Sequence, residues 1–218
     1  MELLENDAKK LNSPLKFHAL TDETIPVIES FYKNKYEFFE NRDWADYIYL
    51  SQNMAELSGK KLHAKRNFIN KFNSLYNGNY EFKPITSNLI PEIKSFNTNW
   101  QKTNEKFSNE HLTDEHELIC YALDNFIKLK LIGVALFVDG KIAAFTYGSA
   151  INKNVFDIHV EKADTSYQGA YAVINNLFAK ELIGYKFLNR EEDMGLDGLR
   201  KAKLSYYPHK ILVRYSTN

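Results

Sequence analysis

The chain has 218 residues, 44% of them hydrophobic, so it is long enough and apolar enough to fold around a core of its own. Its 28 basic residues balance its 28 acidic ones, which argues against a general nucleic-acid coat but permits a local basic patch. The single cysteine excludes an internal disulfide and any multi-cysteine metal site.

Sequence signals for secretion or membrane insertion are missing. No apolar run approaches the ~20 residues that span a bilayer, and the N-terminus MELLENDAKK lacks the apolar core of a signal peptide. We therefore expect a cytoplasmic protein with no integral membrane segment. Cys120 lies in a helical apolar stripe, ELICYALDNF, which favours a packed core thiol over a nucleophile.

Residues 1–56 predict a strand, a helix and a second strand, in the stretches LKFHAL, TDETIPVIESFY and YEFFENRDWADYIYL. The same order recurs at the C-terminal end of the chain. The segment is therefore either a partial copy of the C-terminal unit or an ordinary helical extension.

Residues 57–78 predict a connecting helix that follows a turn at Gly59. The side chains expected to face inward recur at helical spacing: Phe68, Ile69, Phe72 and Leu75. The other face is expected to carry a basic patch that contains no acid: Lys60, Lys61, Lys65, Arg66 and Lys71.

Residues 79–218 predict a single α/β domain. A strand in YEFKPIT precedes two helices with apolar residues at helical spacing. Three strand-like runs follow in GVALFVDGKIAAFTYGSAINKNVFDIHVEKA, separated by the turn signals DG and NKN. After the turn YQGAY come a helix, the strand YKFLN, the helix GLDGLRKAKLS and the strand KILVRY.

This order of elements is that of the GNAT acyltransferase fold, an α/β fold with a mixed sheet. In that fold the fourth strand leads into a glycine-containing turn, whose backbone amides hold the pyrophosphate of an acyl carrier at a helix N-terminus. YQGAY occupies the corresponding place. The residues expected to bind the carrier are those of the turn: Tyr167, Gln168, Gly169, Ala170 and Tyr171.

Three stretches resemble the C-terminal catalytic domain of phosphatidylglycerol lysyltransferase and related tandem GNAT-like proteins. They are DYIYLSQNMAELSGKKLHAKRNFINKF, IHVEKADTSYQGAYAVIN and NREEDMGLDGLRKAKLSYYP, and the resemblance runs from Asp46 to the end. In that family two GNAT-like units stand side by side. The resemblance thus implies a partial first unit at 1–56, a basic connecting helix at 57–78 and a complete unit at 79–218.

The resemblance implies direct transfer of an acyl or aminoacyl group from acyl-CoA or aminoacyl-tRNA, neither of them a tightly bound cofactor. The acceptor would be an amine or hydroxyl of a small molecule, a peptide or a lipid head group. The lysyltransferases carry lysine from lysyl-tRNA to a lipid and use a separate membrane domain, which this sequence does not have. The alternative is a catalytically inactive binding or regulatory module that keeps the fold without turnover. A homo-oligomer is a possible assembly under either interpretation.

The strand VFDIHVE supplies the candidate catalytic bases. Alternation is expected to place Asp157, His159 and Glu161 together on one face. In a GNAT-like sheet this strand splays from YKFLN and the acyl group enters the gap, so His159 and Glu161 are candidates for proton transfer. The alternative is a solvated or salt-bridged face. No metal site is expected, because residues two apart on a flat strand diverge.

The third catalytic candidate is Tyr206, in the region where many GNAT enzymes place a tyrosine that protonates the departing group.

The stretch NREED supplies candidate substrate ligands. Arg190 suits a carboxylate or phosphate, and the acids suit an ammonium group. The full set is Asn189, Arg190, Glu191, Glu192, Asp193, Arg200 and Lys203. The alternative is a structural network that holds the following helix, or a helix cap at Asp193.

The basic patch offers a nucleic-acid interface. The four residues expected to meet tRNA phosphates are Lys60, Lys61, Lys65 and Arg66. The alternative is that these bases pair with the acid-rich segment 1–56.

Overall fold

The structure, a computed structural model, describes residues 1–104 and 111–218. Eight helices and seven strands lie within these residues, in the order α1 (Glu2–Lys10), α2 (Ile25–Phe31), β1 (Phe38–Leu50), α3 (Ser51–Glu56), α4 (His63–Tyr76), β2 (Tyr80–Pro84), α5 (Ile90–Asn104), α6 (His111–Asp124), β3 (Ile132–Val138), β4 (Lys141–Asn152), β5 (Val155–Ala163), α7 (Ala170–Glu181), β6 (Phe187–Asn189), α8 (Asp197–Leu204) and β7 (Lys210–Thr217).

The chain divides into two compact units, and the residues at which they divide differ from the predicted boundaries. The first unit joins Met1–Ile48 to Glu191–Asn218, and the second is Tyr49–Arg190. Both ends of the chain belong to one unit because β7 pairs antiparallel with β1, from Phe38 opposite Thr217 to Ile48 opposite Lys210. That residues 1–56 derive from a first GNAT-like unit stays a prediction.

The N-terminal part of the first unit is less regular than the sequence predicts. The predicted strand at residues 15–20 is wrong, because these residues form only a single bridge between Leu20 and Tyr215. Ala19 has a φ of 57°, which an extended strand does not accommodate. The predicted helix and second strand of this segment are confirmed as α2 and β1.

The second unit contains five sheet strands in the order β2-β3-β4-β5-β6. The first four are antiparallel neighbours, and β6 is parallel to β5. Asp139 and Gly140, with φ of 48° and 75°, form the turn between β3 and β4, and positive φ at both positions is what a type I′ hairpin turn requires. At the next turn, the Asn152 Oδ1 accepts hydrogen bonds from the N–H groups of Asn154 and Val155.

The predicted α/β fold with a GNAT-like order of elements is therefore confirmed. On one face of the sheet, α5 and α6 bury an apolar cluster that includes Ile93, Leu123, Phe145 and Val160. On the other face lies α7, where the ring of Phe178 contacts that of Phe156 in β5. None of the helices within the described residues combines the length and apolar character that crossing a membrane requires.

Gly169 joins the end of β5 to α7, and two constraints explain why it is glycine. Its φ of 95° lies in the left-handed region, and a Cβ atom there would come within 2.6 Å of the Phe68 carbonyl oxygen and 3.1 Å of the Phe72 Cβ. The sequence suggested close approach of this backbone to a phosphate. In the structure, it is α4 that makes the close approach.

We expect Gly169→Ala to destabilise the protein more than Gly140→Ala does. Both substitutions place a side chain in the left-handed region, which costs about 1–2 kcal/mol, but a Cβ at Gly140 meets no atom within 4 Å. Only Gly169→Ala forces α4 to move. Urea unfolding of the two variants measures the difference, and equal losses would show that the packing against α4 does not constrain this turn.

Candidate functional site

The pairing between β5 and β6 is short. The two strands pair at Val155 with Phe187, Phe156 with Leu188, and Asp157 with Asn189. There β6 ends, whereas β5 continues to Ala163. That an acyl group enters beside the remainder of β5 stays a prediction.

A β-bulge in β5 changes which side chains share a face. Tyr147 in β4 lies opposite Val160, but the next residue, Gly148, lies opposite Ile158, so His159 is the extra residue. Val160 packs in the cluster under α5 and α6. Phe156, an even number of residues away, instead contacts α7. The alternation of faces along β5 is therefore reversed across the bulge.

The expectation that Asp157, His159 and Glu161 share one face is consequently wrong for Glu161. Glu161 lies directly opposite Thr146 and shares its face, which is the α7 side. His159 contacts Ser149, an odd-numbered neighbour of Tyr147 on the α5 and α6 side. Buried and half-buried residues of β5 alternate as predicted, but His159, one of the two candidate bases, is itself the extra residue of the bulge.

Glu161 forms an ion pair with Arg190, one of the predicted substrate ligands. The Nε and Nη2 atoms of Arg190 donate to Glu161 Oε2 at 2.9 and 2.5 Å. The Arg190 side chain is 7% exposed and that of Glu161 is 14% exposed, and the guanidinium lies 5.5 Å from the ring centre of Tyr49. The structure thus shows Arg190 binding a carboxylate, as its chemistry predicts, but an internal one.

His159 has partners of its own on the opposite face. Its Nε2 lies 2.9 Å from the Ser149 Oγ, and its Nδ1 lies 3.8 Å from the Asp157 Oδ2. The side chains of His159 and Asp157 are 32% and 18% exposed, so a ligand can reach them. A carboxylate, an imidazole and a hydroxyl thus follow one another in space.

The YQGAY turn leaves several main-chain donors open. Within the described residues, the N–H groups of Gln168, Gly169, Tyr171 and Ala172 donate no hydrogen bond, whereas that of Ala170 donates to the Tyr167 carbonyl at 3.0 Å. Backbone donors without internal partners at a helix N-terminus are what an anion site requires, and carrier binding by this turn stays a prediction.

The basic patch is divided by the packing of α4. Phe68 and Leu75, predicted to face inward, are 46% and 54% exposed. The residues of α4 that face inward are instead Lys65, Ile69, Phe72 and Tyr76. Because α4 is rotated in this way, Lys65 is half-buried. Burial, and secondly the charge of Arg190, lowers the pKa of Lys65 to about 8.

Arg66 has a structural role, since its Nη1 donates to the carbonyl oxygens of Leu57 and, at 2.8 Å, of Gly59. Lys60 and Lys61 are exposed. The four residues predicted to bind tRNA therefore differ in environment. The nucleic-acid interface stays a prediction for the two exposed lysines.

Lys65→Met is expected to raise the free energy of unfolding by about 1 kcal/mol at pH 7, because it removes a partly desolvated charge. The pKa of about 8 in the folded protein lies below the unfolded value of about 10.4. The cost of the charge is therefore fully present below pH 8 and disappears above pH 10, and the advantage of the variant should shrink over that range. Urea unfolding at pH 7 and 10 measures it, with the exposed Lys60→Met as control. A Lys65→Met variant less stable than wild type at pH 7 would contradict the assignment.

In the first unit, Asp193 is the centre of a charged network. Its carboxylate is fully buried and accepts hydrogen bonds from Nε and Nη2 of Arg200, both at 2.8 Å, and from the Gly195 N–H at 3.0 Å. The Tyr47 hydroxyl also donates to it. The hydrogen bonds from Arg200 hold the pKa of Asp193 well below its usual range. Leu196, rather than Asp193, occupies the N-cap of α8.

The other predicted substrate ligands of this unit also have internal contacts. The Nζ of Lys203, a residue that is 7% exposed, donates to the carbonyl oxygens of Glu191 and Glu192 at 3.1 and 2.5 Å. Tyr206 is 6% exposed. These contacts favour the alternative interpretation, a network that holds α8. Substrate binding by these residues, and proton donation by Tyr206, stay predictions.

Asp193→Asn is expected to lower the free energy of unfolding by about 3 kcal/mol at pH 7, because a buried pair loses one partner. The lowered pKa of Asp193 in the folded protein means that its stabilisation is complete above the unfolded pKa of about 3.9 and is lost as the pH falls through the folded value. The gap between wild type and variant should therefore narrow from pH 5 to pH 2 in thermal melts. The control is Asp7→Asn in an exposed pair with Lys10. A variant as stable as wild type at neutral pH would refute the structural role.

The chain is similar to known proteins in sequence and in fold. The family model described as "Phosphatidylglycerol lysyltransferase, C-terminal" matches residues 1–218. A solved structure of a conserved protein of unknown function from Bacteroides thetaiotaomicron VPI-5482 is 44% identical with a TM-score of 0.95, over 99% of this chain and 73% of that chain. An uncharacterized protein of Mycoplasmoides gallisepticum is 26% identical over 222 residues, which are 99% of this chain and 69% of that protein.

The fold also matches a solved structure whose described activity is more specific. It is the C-terminal domain of a putative lysylphosphatidylglycerol synthetase from Agrobacterium fabrum, with a TM-score of 0.72 and 16% identity over 99% of this chain and 71% of that chain. At this identity the likeness shows the fold alone. The resemblance inferred from the sequence motifs is confirmed by the family match.

Proposed function

Because the chain belongs to the family of phosphatidylglycerol lysyltransferase C-terminal domains, we propose that it is a transferase. It would move an acyl or aminoacyl group from a phosphate-bearing carrier to an amine or hydroxyl. The observation that carries the proposal is the end of β6 at Asn189, beside a β5 that runs on to Ala163 and leads into α7. In this proposal the acyl group would lie beside the unpaired part of β5, and its carrier would bind at the turn that follows this strand.

The carrier's phosphate would lie at the start of α7. The N–H groups of Gln168, Gly169, Tyr171 and Ala172 supply donors, and the helix dipole favours an anion there. Because α4 covers one side of Gly169, the phosphate would approach the turn from the side that α4 leaves open. Aminoacyl-tRNA and acyl-CoA both carry phosphates, so this arrangement suits either donor.

Proton transfer would fall to Glu161 and His159. Attack by an amine or hydroxyl on the acyl carbonyl requires that the acceptor lose a proton, and a carboxylate or imidazole beside the gap can take it. Glu161 lies on the α7 side of β5 and is oriented by Arg190. His159 lies on the other side and is oriented by Asp157 and Ser149.

Donor and acceptor are identified by direct assay. The purified chain is incubated with lysyl-tRNA or acetyl-CoA as donor, and with phosphatidylglycerol vesicles or a small primary amine as acceptor. Formation of a lysyl or acetyl product with one of these pairs supports the proposal. If no donor gives product and none raises the melting temperature, the chain is a binding module and the proposal is wrong. A donor present at a hundred times its Kd would add about 2.7 kcal/mol of stability.

Glu161→Gln is expected to lower kcat for the active pair by about 100-fold, the loss that removal of a general base produces. Glu181→Gln, at an exposed position near the end of α7, is the matched control and should retain wild-type activity. A Glu161→Gln variant as active as the control would remove Glu161 from the chemistry and leave His159 as the base.

A further inference from the structure

Three aromatic rings of the first unit meet beside α2. The ring centres of Phe17 and Tyr36 lie 5.3 Å apart, those of Tyr32 and Tyr36 lie 5.4 Å apart, and those of Phe17 and Tyr32 lie 5.9 Å apart. The Tyr36 ring is nearly perpendicular to the other two, at 86° to Phe17 and 88° to Tyr32. Rings that meet at right angles enclose a corner with an aromatic face as a wall.

The corner between Tyr32 and Tyr36 holds an ammonium group. Lys35 Nζ lies 4.6 Å from the ring centre of Tyr32 and 5.4 Å from that of Tyr36, within the ~6 Å over which a ring face attracts a cation. A carboxylate stands beside it, since Glu5 Oε1 lies 3.5 Å from the same nitrogen. Aromatic faces are the groups from which proteins build sites for quaternary ammonium ligands.

Lys35 is a weakly held occupant of this corner. Its side chain is 52% exposed and that of Glu5 is 36% exposed, so solvent screens their ion pair. A primary ammonium also has three N–H donors. Ring faces accept hydrogen bonds poorly, and the Glu5 oxygen lies beyond the roughly 2.7–3.2 Å of an ordinary N–H···O hydrogen bond. Little therefore opposes the departure of the Lys35 side chain from the corner.

Contacts that do not involve Lys35 hold the rings. The Phe17 N–H donates to Thr217 Oγ1, and the Thr217 N–H donates to the Phe17 carbonyl oxygen, both at 2.9 Å. Tyr32 is 8% exposed and packs in the apolar cluster of this unit. Its buried hydroxyl oxygen has no hydrogen-bond partner among the described residues. The corner thus combines a firmly packed frame with a polar atom that Lys35 does not satisfy.

We propose that Phe17, Tyr32, Tyr36 and Glu5 form a binding site for a quaternary ammonium group, and that Lys35 occupies this ammonium site until a ligand displaces it. The methyl groups of the ligand would contact the rings, and its positive charge would be attracted by the rings and by Glu5. A quaternary ammonium suits the site better than a primary one, because it brings no N–H donors that the rings would leave unsatisfied. Binding is noncovalent and belongs to the first unit, so it is independent of the transfer proposed for the second.

Calorimetric titration of the whole chain with choline tests the ammonium site. Choline should bind, whereas 3,3-dimethylbutan-1-ol, which has the same shape without the charge, should bind at least ~10-fold more weakly. Tyr36→Leu should weaken choline binding about 10-fold, whereas Tyr36→Phe keeps the ring and should stay within about twofold of wild type. The matched control is Phe31→Leu, which removes a nearby aromatic residue that is 63% exposed and should leave binding unchanged.

Removal of the resident ammonium should have the opposite effect. We expect Lys35→Gln to bind choline about 3-fold more tightly, because an exposed contact between a cation and a ring is worth about that factor and no longer competes with the ligand. Unchanged or weaker binding by Lys35→Gln would show that Lys35 does not compete for the site. Binding by Lys35→Gln alone would also contradict the proposal, since Lys35 would then exclude ligands from the native chain.

Three further results would overturn the ammonium site itself. They are the absence of choline binding in both wild type and Lys35→Gln, equal affinities for choline and the neutral alcohol, and wild-type affinity in a folded Tyr36→Leu variant. Circular dichroism establishes that each variant is folded. The comparison of choline with the neutral alcohol uses the wild-type chain, so it decides the question even where Tyr36→Leu does not fold.

Vesicles distinguish two sources of the same chemical group. The chain is sedimented with phosphatidylcholine vesicles and, separately, with phosphatidylglycerol vesicles of the same size. Choline binding together with co-sedimentation on phosphatidylcholine alone would identify the ligand as a lipid head group. Choline binding without co-sedimentation would identify it as a free small molecule.

Discussion

One extra residue in β5 determines how the polar groups of the second unit are distributed. The bulge at His159 reverses the alternation of faces. Side chains that are an even number of residues apart therefore lie on opposite faces when the bulge is between them. Gly148 makes the bulge possible, because any side chain there would overlap the Asp157 carbonyl. Two polar clusters consequently lie on opposite faces of a single strand, His159 with Ser149 and Glu161 with Arg190.

The dense run of charges in NREED reflects structural demands as much as binding. Arg190 is held by Glu161 in the second unit, whereas Asp193 is buried and satisfied by Arg200, Tyr47 and the Gly195 amide in the first. A buried carboxylate is tolerated only when its oxygens are paired. The neighbouring Lys203 likewise bonds carbonyl oxygens. Hydrogen bonds and ion pairs within the protein therefore account for the charged NREED motif without a ligand.

Short sequence patterns predict most of the fold but only some features of the candidate site. The DG and NKN turns were predictable because positive φ and side-chain-to-backbone hydrogen bonds depend on a few adjacent residues. The candidate bases were predictable by residue type and strand. The sequence does not show that they lie on opposite faces, because the bulge between these faces depends on how β5 pairs with β4. The sequence indicates an unusual backbone at Gly169, but it does not indicate that α4 packs against this residue.

The sequence by itself determined most of the order of helices and strands, the GNAT-like order of elements in residues 79–218 and the family, because hydrophobic periodicity and contiguous motifs are properties of neighbouring residues. Only the tertiary structure decided that Glu161 and His159 face opposite sides and that Lys65 lies on the inward stripe of α4. Strand register and helix rotation are fixed by contacts between residues far apart in the chain. A one-residue shift in either moves a side chain from one environment to another without leaving a trace in the local pattern.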